Sequence, residues 1–218
     1  VLARARTYTR CIAPATLLDA VALASASPRR RHLLASLGLR VVVVPSAYVE
    51  RPNEALAPRD LALLHARGKA DGAAPSHELI VAADTIVDLD GKALGKPTDP
   101  ADARSMLRRL AARWHTVHTA FALRTPSNTS LVDVVSTRVK FADIDEETLS
   151  AYAASGDGLD KAGAYGIQGF AATLVERVDG DYFTVVGFPL AAFAAALPRI
   201  GYRLQPPAAH AAPFEVHA

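Results

Sequence analysis

The chain has 218 residues, half of them hydrophobic, with 21% charged, 6% aromatic and a net charge of +2. That length suits one domain or two small fused lobes, and the near balance of charge excludes a strongly basic nucleic-acid arm or an acidic disordered tail. The single cysteine, Cys11, excludes an internal disulfide framework and a cysteine zinc site and fits a reducing, cytoplasmic setting, while no apolar run reaches the roughly 18 residues of a membrane span.

Residues 1–20 carry Arg4, Arg6 and Arg10 and no acid before Asp19, so they read as an N-terminal extension, with organellar targeting as the alternative. Residues 21–24 form a short apolar strand. Ser27 and Pro28 then start a helix as N-cap and first helical residue, with Leu33, Leu34 and Leu37 on its apolar stripe and Gly38 at its end. The β-branched run 40–44 is a second strand. A helix over 59–71 precedes a buried strand over 79–83. A hairpin turns at Asp90-Gly91, and Asp99-Pro100 caps a helix that holds Met106, Leu107 and Leu110.

Two strands follow near 114–123 and 131–141, with Trp114 in the core. The polar loop 125–130 between them is the only candidate domain boundary. A helix over 145–155 stops at Gly156, a Gly-rich segment spans 156–169, a hairpin turns at Asp179-Gly180, and a closing helix covers 189–198. The end, residues 201–218, is a tail, Pro-rich from Gln205 on. Helices and strands alternate, so the expected class is α/β with a mixed, twisted sheet and flanking helices.

Four clusters carry possible chemistry. Ser25, Ser27, Arg29 and Arg30 lie where a strand feeds a helix N-terminus, whose free N–H groups favour an anion. An ordinary Ser-Pro cap with a solvated basic turn also fits, although Arg beside a helix N-terminus is unfavourable without an anion. Asp84 and Thr85 follow an apolar strand, which puts a carboxylate at a strand end, where ligands gather in open α/β sheets. It is either a turn former or, beside phosphate, a magnesium ligand or water activator.

Gly91 to Lys96 looks like a phosphate loop but has three residues between glycines and Pro97 where a hydroxyl is needed, so it is not a Walker A motif; Lys96 is a point charge or an exposed hairpin lysine. Asp160 to Gly169 combines three glycines with Lys161, Tyr165, Ile167 and Gln168. A free linker does not need its apolar residues, and Gln168 can read a base edge. His115 and His118 fall on opposite faces of their strand, which argues against a shared metal. Arg104, Arg108, Arg109 and Arg113 form a basic face that suits solvent or a dimer rim better than nucleic acid.

The ordered set Leu-Ala-Ser-Ala-Ser-Pro-Arg-Arg (23–30), Ala-Asp-Thr (83–85), Gly-Lys-Pro (95–97), Asp-Lys-Ala-Gly-Ala-Tyr-Gly-Ile-Gln-Gly (160–169) and Val-Gly-Phe-Pro-Leu (186–190) closely resembles the Maf family over about residues 21–200. The resemblance implies a nucleoside triphosphate pyrophosphatase with a fold related to the inosine triphosphatases, a divalent metal (Mg²⁺ or Mn²⁺) and a homodimer. It matches Asp84 to the proposed base. Arg29, Thr85 and Gln168 match three specificity positions, here in the form of the dTTP/UTP branch. Lys69 and Lys96 match the family's lysines.

The family's Val-Asp-Glu reads Tyr48-Val49-Glu50 here, so Glu50 keeps the carboxylate, whereas a one-residue shift puts Arg51 there. The implied reaction is attack of water on the α-phosphorus of dTTP or UTP. Asp84 activates the water or holds metal, Glu50 ligates metal, and Arg29, Arg30, Lys69 and Lys96 neutralise the polyphosphate. Ser25, Ser27 and Lys161 complete the substrate contacts. The rival reading, also from the family, is a non-enzymatic nucleotide-sensing regulator of septum formation.

Overall fold

The computed structural model describes residues 15–51 and 53–206. The targeting reading of the first residues rests on positions 1–14, and most of the Pro-rich tail on 207–218; both lie outside the described residues, as does Cys11.

The strands are β1 (Thr16–Leu18), β2 (Ala20–Leu23), β3 (Arg40–Val43), β4 (Leu79–Leu89), β5 (Lys92–Leu94), β6 (Trp114–Arg124), β7 (Ser130–Phe141), β8 (Val175–Asp179) and β9 (Tyr202–Leu204). The helices are α1 (Pro28–Ala35), α2 (Pro58–Asp71), α3 (Pro100–Leu110), α4 (Glu146–Ser155), α5 (Tyr182–Val186) and α6 (Leu190–Ala196). One seven-stranded sheet runs β3-β2-β4-β6-β7-β8, with β5 hydrogen-bonded to β4. β3, β2 and β4 are parallel, and the β4–β6, β6–β7 and β7–β8 pairs are antiparallel, so the sheet is mixed as expected. Loop 125–130 merely turns the β6–β7 hairpin inside this sheet.

Alternation along β4 separates two cores. Leu79, Val81, Ala83, Val87 and Leu89 pack with Leu33 and Leu34 of α1, Leu107 and Leu110 of α3, and Phe193 of α6. Ile80 and Ala82 face the other way, toward an alanine seam of Ala62, Ala66 and Ala70 on α2 with Ala120 and Ala122 on β6. Small residues at i, i+4 and i+8 let α2 lie close against the sheet. Arg124 holds the end of α2, donating to the carbonyls of Ala70 (3.1 Å) and Ala73 (2.7 Å).

Local signals place most helix ends. Ser27 caps α1, Asp99 caps α3 and Asp145 caps α4, which ends at Gly156 with φ +77°. Three expectations change. β4 does not stop at Ala83; it continues through Asp84 to Leu89 because β6 pairs with it from Ile80 to Asp88. Asp179-Gly180 is not a hairpin. Gly180 (φ +130°) turns the chain beside Thr137, and Asp181 caps α5 by accepting from the Thr184 N–H and hydroxyl, which overrides the strand preference of Tyr-Phe-Thr-Val-Val. Trp114 is only partly buried, with the Arg138 guanidinium 4.4 Å above its ring.

Residues 16–18, within the expected extension, pair in parallel with 202–204, within the expected tail. The basic face of α3 is not bare: Arg104 and Arg108 both bond Glu146 of α4.

Candidate active site

The site forms at a gap in the sheet. β2 leaves β4 after the pair Leu23–Val81, and β5 joins it only at Val87. Between these points β4 has β6 on one edge and no strand on the other, and Asp84 and Thr85 sit there. The strand whose carboxyl end frames the site is therefore β2. Alternation sends Asp84 to the α2 side and Thr85 to the α1 side, so neighbouring residues serve two halves of one site.

The acidic half is built on α2. Lys69 Nζ lies 2.6 Å from Asp84 Oδ1 and 2.7 Å from Glu50 Oε1. Asp84 is 5% exposed, and its Oδ2 is buried without a partner. Such an atom is costly unless a water, ion or substrate meets it. Glu50, rather than Arg51, meets Lys69. Partial burial alone would raise the Glu50 carboxyl; the bond and charge of Lys69, with the charges of His65 and Lys96, outweigh it and hold it below the usual glutamate range. Lys96 itself is exposed.

The cationic half is built on the β2–α1 turn. Ser27 Oγ accepts from Arg30 N at 3.5 Å, and Ser25 Oγ accepts from Ser27 N at 3.3 Å. Each nitrogen of the Arg30 fork has an acceptor: Nε donates to the Gly187 carbonyl, Nη1 to Ser25 Oγ and Nη2 to Thr85 Oγ1, each at 3.0 Å. Burial lowers its pKa while the Asp84 charge works the other way. Thr85 Oγ1 also lies 3.0 Å from Thr119 Oγ1, which donates to the Thr184 carbonyl. Arg30 is thus a pin between α1, β4 and Gly187. Arg29 is the looser cation, 3.6 Å from Asp160 with its side chain 28% exposed.

The Gly-rich segment is docked, not free. Gly163 N donates to the Gly95 carbonyl, and Gly163 takes φ +69° with Val87 about 3 Å from where a Cβ would stand. Tyr165 and Ile167 are buried, and Gln168 is exposed beside them. Lys161 folds over Gly166 and bonds Asp157 and Asp160, so its charge is spent within the segment.

The sequence reading passed over His65, which is 4% exposed, and gave Tyr48 no role. Tyr48 Oη lies 2.8 Å from His65 Nδ1. The available signal was spacing: His65 is one helical turn before Lys69, on the same face of α2.

Among the described residues no group of three His, Cys, Asp or Glu side chains is placed to hold an ion. Two carboxylates, one with a free buried oxygen, still fit Mg²⁺ or Mn²⁺, which binds one or two carboxylates and completes its shell with phosphate oxygens and water. A calcium-type or zinc-type cage does not fit.

The chain is 50% identical over 182 residues to a protein of Thermus thermophilus named dTTP/UTP pyrophosphatase, covering 83% of this chain and 95% of that one. It is 47% identical over 184 residues to one of the same name from Geobacter sulfurreducens, covering 83% and 96%. Among solved structures, the dITP/XTP pyrophosphatase of Mycobacterium abscessus is 19% identical over 84% of this chain and 94% of that one, with a TM-score of 0.40. A HAM1 protein of Coxiella burnetii is 15% identical over 85% and 97%, with a TM-score of 0.45. The family described as Maf-like protein matches residues 20–200, the span that carries both halves of the site, and the chain belongs to that family.

Proposed function

We infer that this protein hydrolyses dTTP and UTP to the nucleoside monophosphate and pyrophosphate. The carrying observation is Asp84: a buried carboxylate at the sheet gap, with one oxygen on Lys69 and the other free. The names of the relatives at 50% and 47% identity support the same substrates.

Water oxygen bonds to the α-phosphorus, the α–β bridging oxygen leaves on pyrophosphate, and the water proton passes to carboxylate. Asp84 Oδ2, placed because Lys69 fixes Oδ1, either accepts that proton or joins Glu50 on the ion. Glu50 and Asp84 would hold the divalent ion, which when bound neutralises phosphate charge and makes water more acidic. Lys69, Lys96 and Arg29 set a positive field for the developing charge. Arg30 fixes Thr85, and Gln168 lies exposed for the base.

A pure regulator has no use for a desolvated acid with an open oxygen, so turnover is the better reading. The homodimer and the cytoplasmic setting belong to this proposal on the family resemblance and the single cysteine. Among the described residues no helix is long and apolar enough to cross a membrane. The test is a panel of nucleoside triphosphates with Mg²⁺ and Mn²⁺, read for pyrophosphate and orthophosphate. Pyrophosphate from dTTP and UTP is expected. Orthophosphate as the first product, or tight binding without turnover, overturns the proposal.

A further inference from the structure

The segment that delivers Glu50 to Lys69 is fastened to α2 at successive points. Ser46 Oγ donates to the Lys69 carbonyl at 2.9 Å, and Ala47 N donates to the Gly72 carbonyl at 3.0 Å. Tyr48 N donates back to Ser46 Oγ at 3.2 Å. The Tyr48 ring then lies on the helix backbone at Gly68, where any Cβ would fall within the ring. Its hydroxyl reaches His65 Nδ1, and the two rings meet edge to face with centroids 5.8 Å apart.

His65 and Lys69 are one turn apart on α2, and Tyr48 and Glu50 are two apart on the segment. The two strips are therefore joined twice in parallel, by Tyr48–His65 and by Glu50–Lys69. The second join is half-exposed and ionic, a weak anchor by itself; the first is part-buried and directional, with His65 itself buried.

We propose that Tyr48 and His65 are a positioning pair for the reaction: wedged over Gly68, they set the distance between Glu50 and Asp84 across Lys69. Neither side chain touches substrate. The inference rests on the pyrophosphatase reading for its consequence and on the Tyr48–Gly68–His65 geometry for its cause. Loss of the pair lets Glu50 drift from its place beside Lys69 and Asp84, and a displacement of about 1 Å in a catalytic constellation can cost up to about 100-fold in rate.

The test compares Tyr48→Phe, His65→Leu, His65→Asn and Gly68→Ala in the full chain. Tyr48→Phe and His65→Leu are expected to lower kcat on dTTP about tenfold or more with KM little changed. The double variant should be no worse than either single one. His65→Asn, whose amide can still pair with the tyrosine hydroxyl, should recover much of the rate. Gly68→Ala should lower kcat while leaving the helix intact, although alanine is the better helix former. In a long-range ¹H–¹⁵N spectrum, Tyr48→Phe should move the His65 Nδ1 signal, the nitrogen that meets the hydroxyl in the wild type. If Tyr48→Phe and Gly68→Ala change only Tm and leave kcat within twofold, the pair is structural and the proposal falls while the activity stands. If the wild type cleaves no nucleotide, the activity reading falls, and the positioning role falls with it.

Discussion

Lys69 Nζ is 2.6 Å from Asp84 Oδ1, and both side chains are withdrawn from solvent, at 14% and 7% exposure. The two residues therefore answer differently to substitution. Asp84→Asn keeps the shape and an acceptor for Lys69 but removes the proton acceptor. Turnover is expected to fall at least about 10³-fold with the urea midpoint unchanged or raised. Lys69→Met strands the Asp84 carboxylate without its counter-charge, at a cost of about 3 kcal/mol in stability besides the activity. Combining the two changes should restore stability but not turnover. Pyrophosphate release and urea unfolding on the same preparations separate these outcomes.

The adjacent arginines are expected to divide the same way. Arg30 satisfies three acceptors from three parts of the chain with one fork, and lysine cannot reach all three. Arg30→Lys should cost about 1–3 kcal/mol in stability as those acceptors lose their partners. Among the described residues Arg29 pairs only with Asp160, at 3.6 Å. Arg29→Ala should leave the unfolding free energy within about 0.5 kcal/mol and raise KM for dTTP several-fold more than it lowers kcat. Michaelis parameters and melting curves for the two variants check the division.

This division was not legible from residues 29 and 30 alone. Which arginine is the pin depends on Thr85 and Gly187, far along the chain, and the helix turns the two side chains about 100° apart. Signals confined to a few residues were legible: Ser27-Pro28, Asp99-Pro100 and Asp145 to Gly156 mark helix ends because cap and capped group are neighbours. Asp84 was found as a motif but misplaced at the end of its strand, because the strand that extends β4 past it, β6, begins some 30 residues later. The helix of α5 was missed because Asp181, a strong cap, is tied to Thr137 across the sheet, a contact no local pattern carries. His65 was invisible as a site residue because its partner Tyr48 lies on a loop whose path is set by Ser46 and Gly72.

Glu146 accepts from Arg104 and Arg108, and Arg108 first, then Arg104, pulls its carboxyl down to about 2. Its folded pKa is below the unfolded one, so the contribution is present above the ordinary glutamate range and fades as pH falls toward 2. The cluster is on the surface, and salt screens it. Glu146→Gln should therefore lower Tm slightly at neutral pH and low ionic strength, and the difference should vanish at ~1 M NaCl. Calorimetry at both salt concentrations is the check.

His115 controls a different acid limb. Its ring is 4% exposed, packed edge to face with Phe141 and Tyr165; Nε2 lies 2.8 Å from Tyr165 Oη and Nδ1 has no partner. Burial lowers its pKa to about 4. Between about 4 and the unfolded value near 6.5 the unfolded chain binds the proton that the folded chain refuses, so stability rises with pH across that window and is complete above it. From pH 7 to pH 5 this one group removes about 2 kcal/mol. Replacing His115 and Tyr165 together by Phe leaves no orphaned hydroxyl, and the double variant should lose that part of the slope. Urea unfolding at several pH values between 5 and 7.5 reads it directly. An unchanged slope would rule out His115 as its source; the carboxylates at Glu50 and Glu146, held below the ordinary glutamate range, lose their contributions only at lower pH.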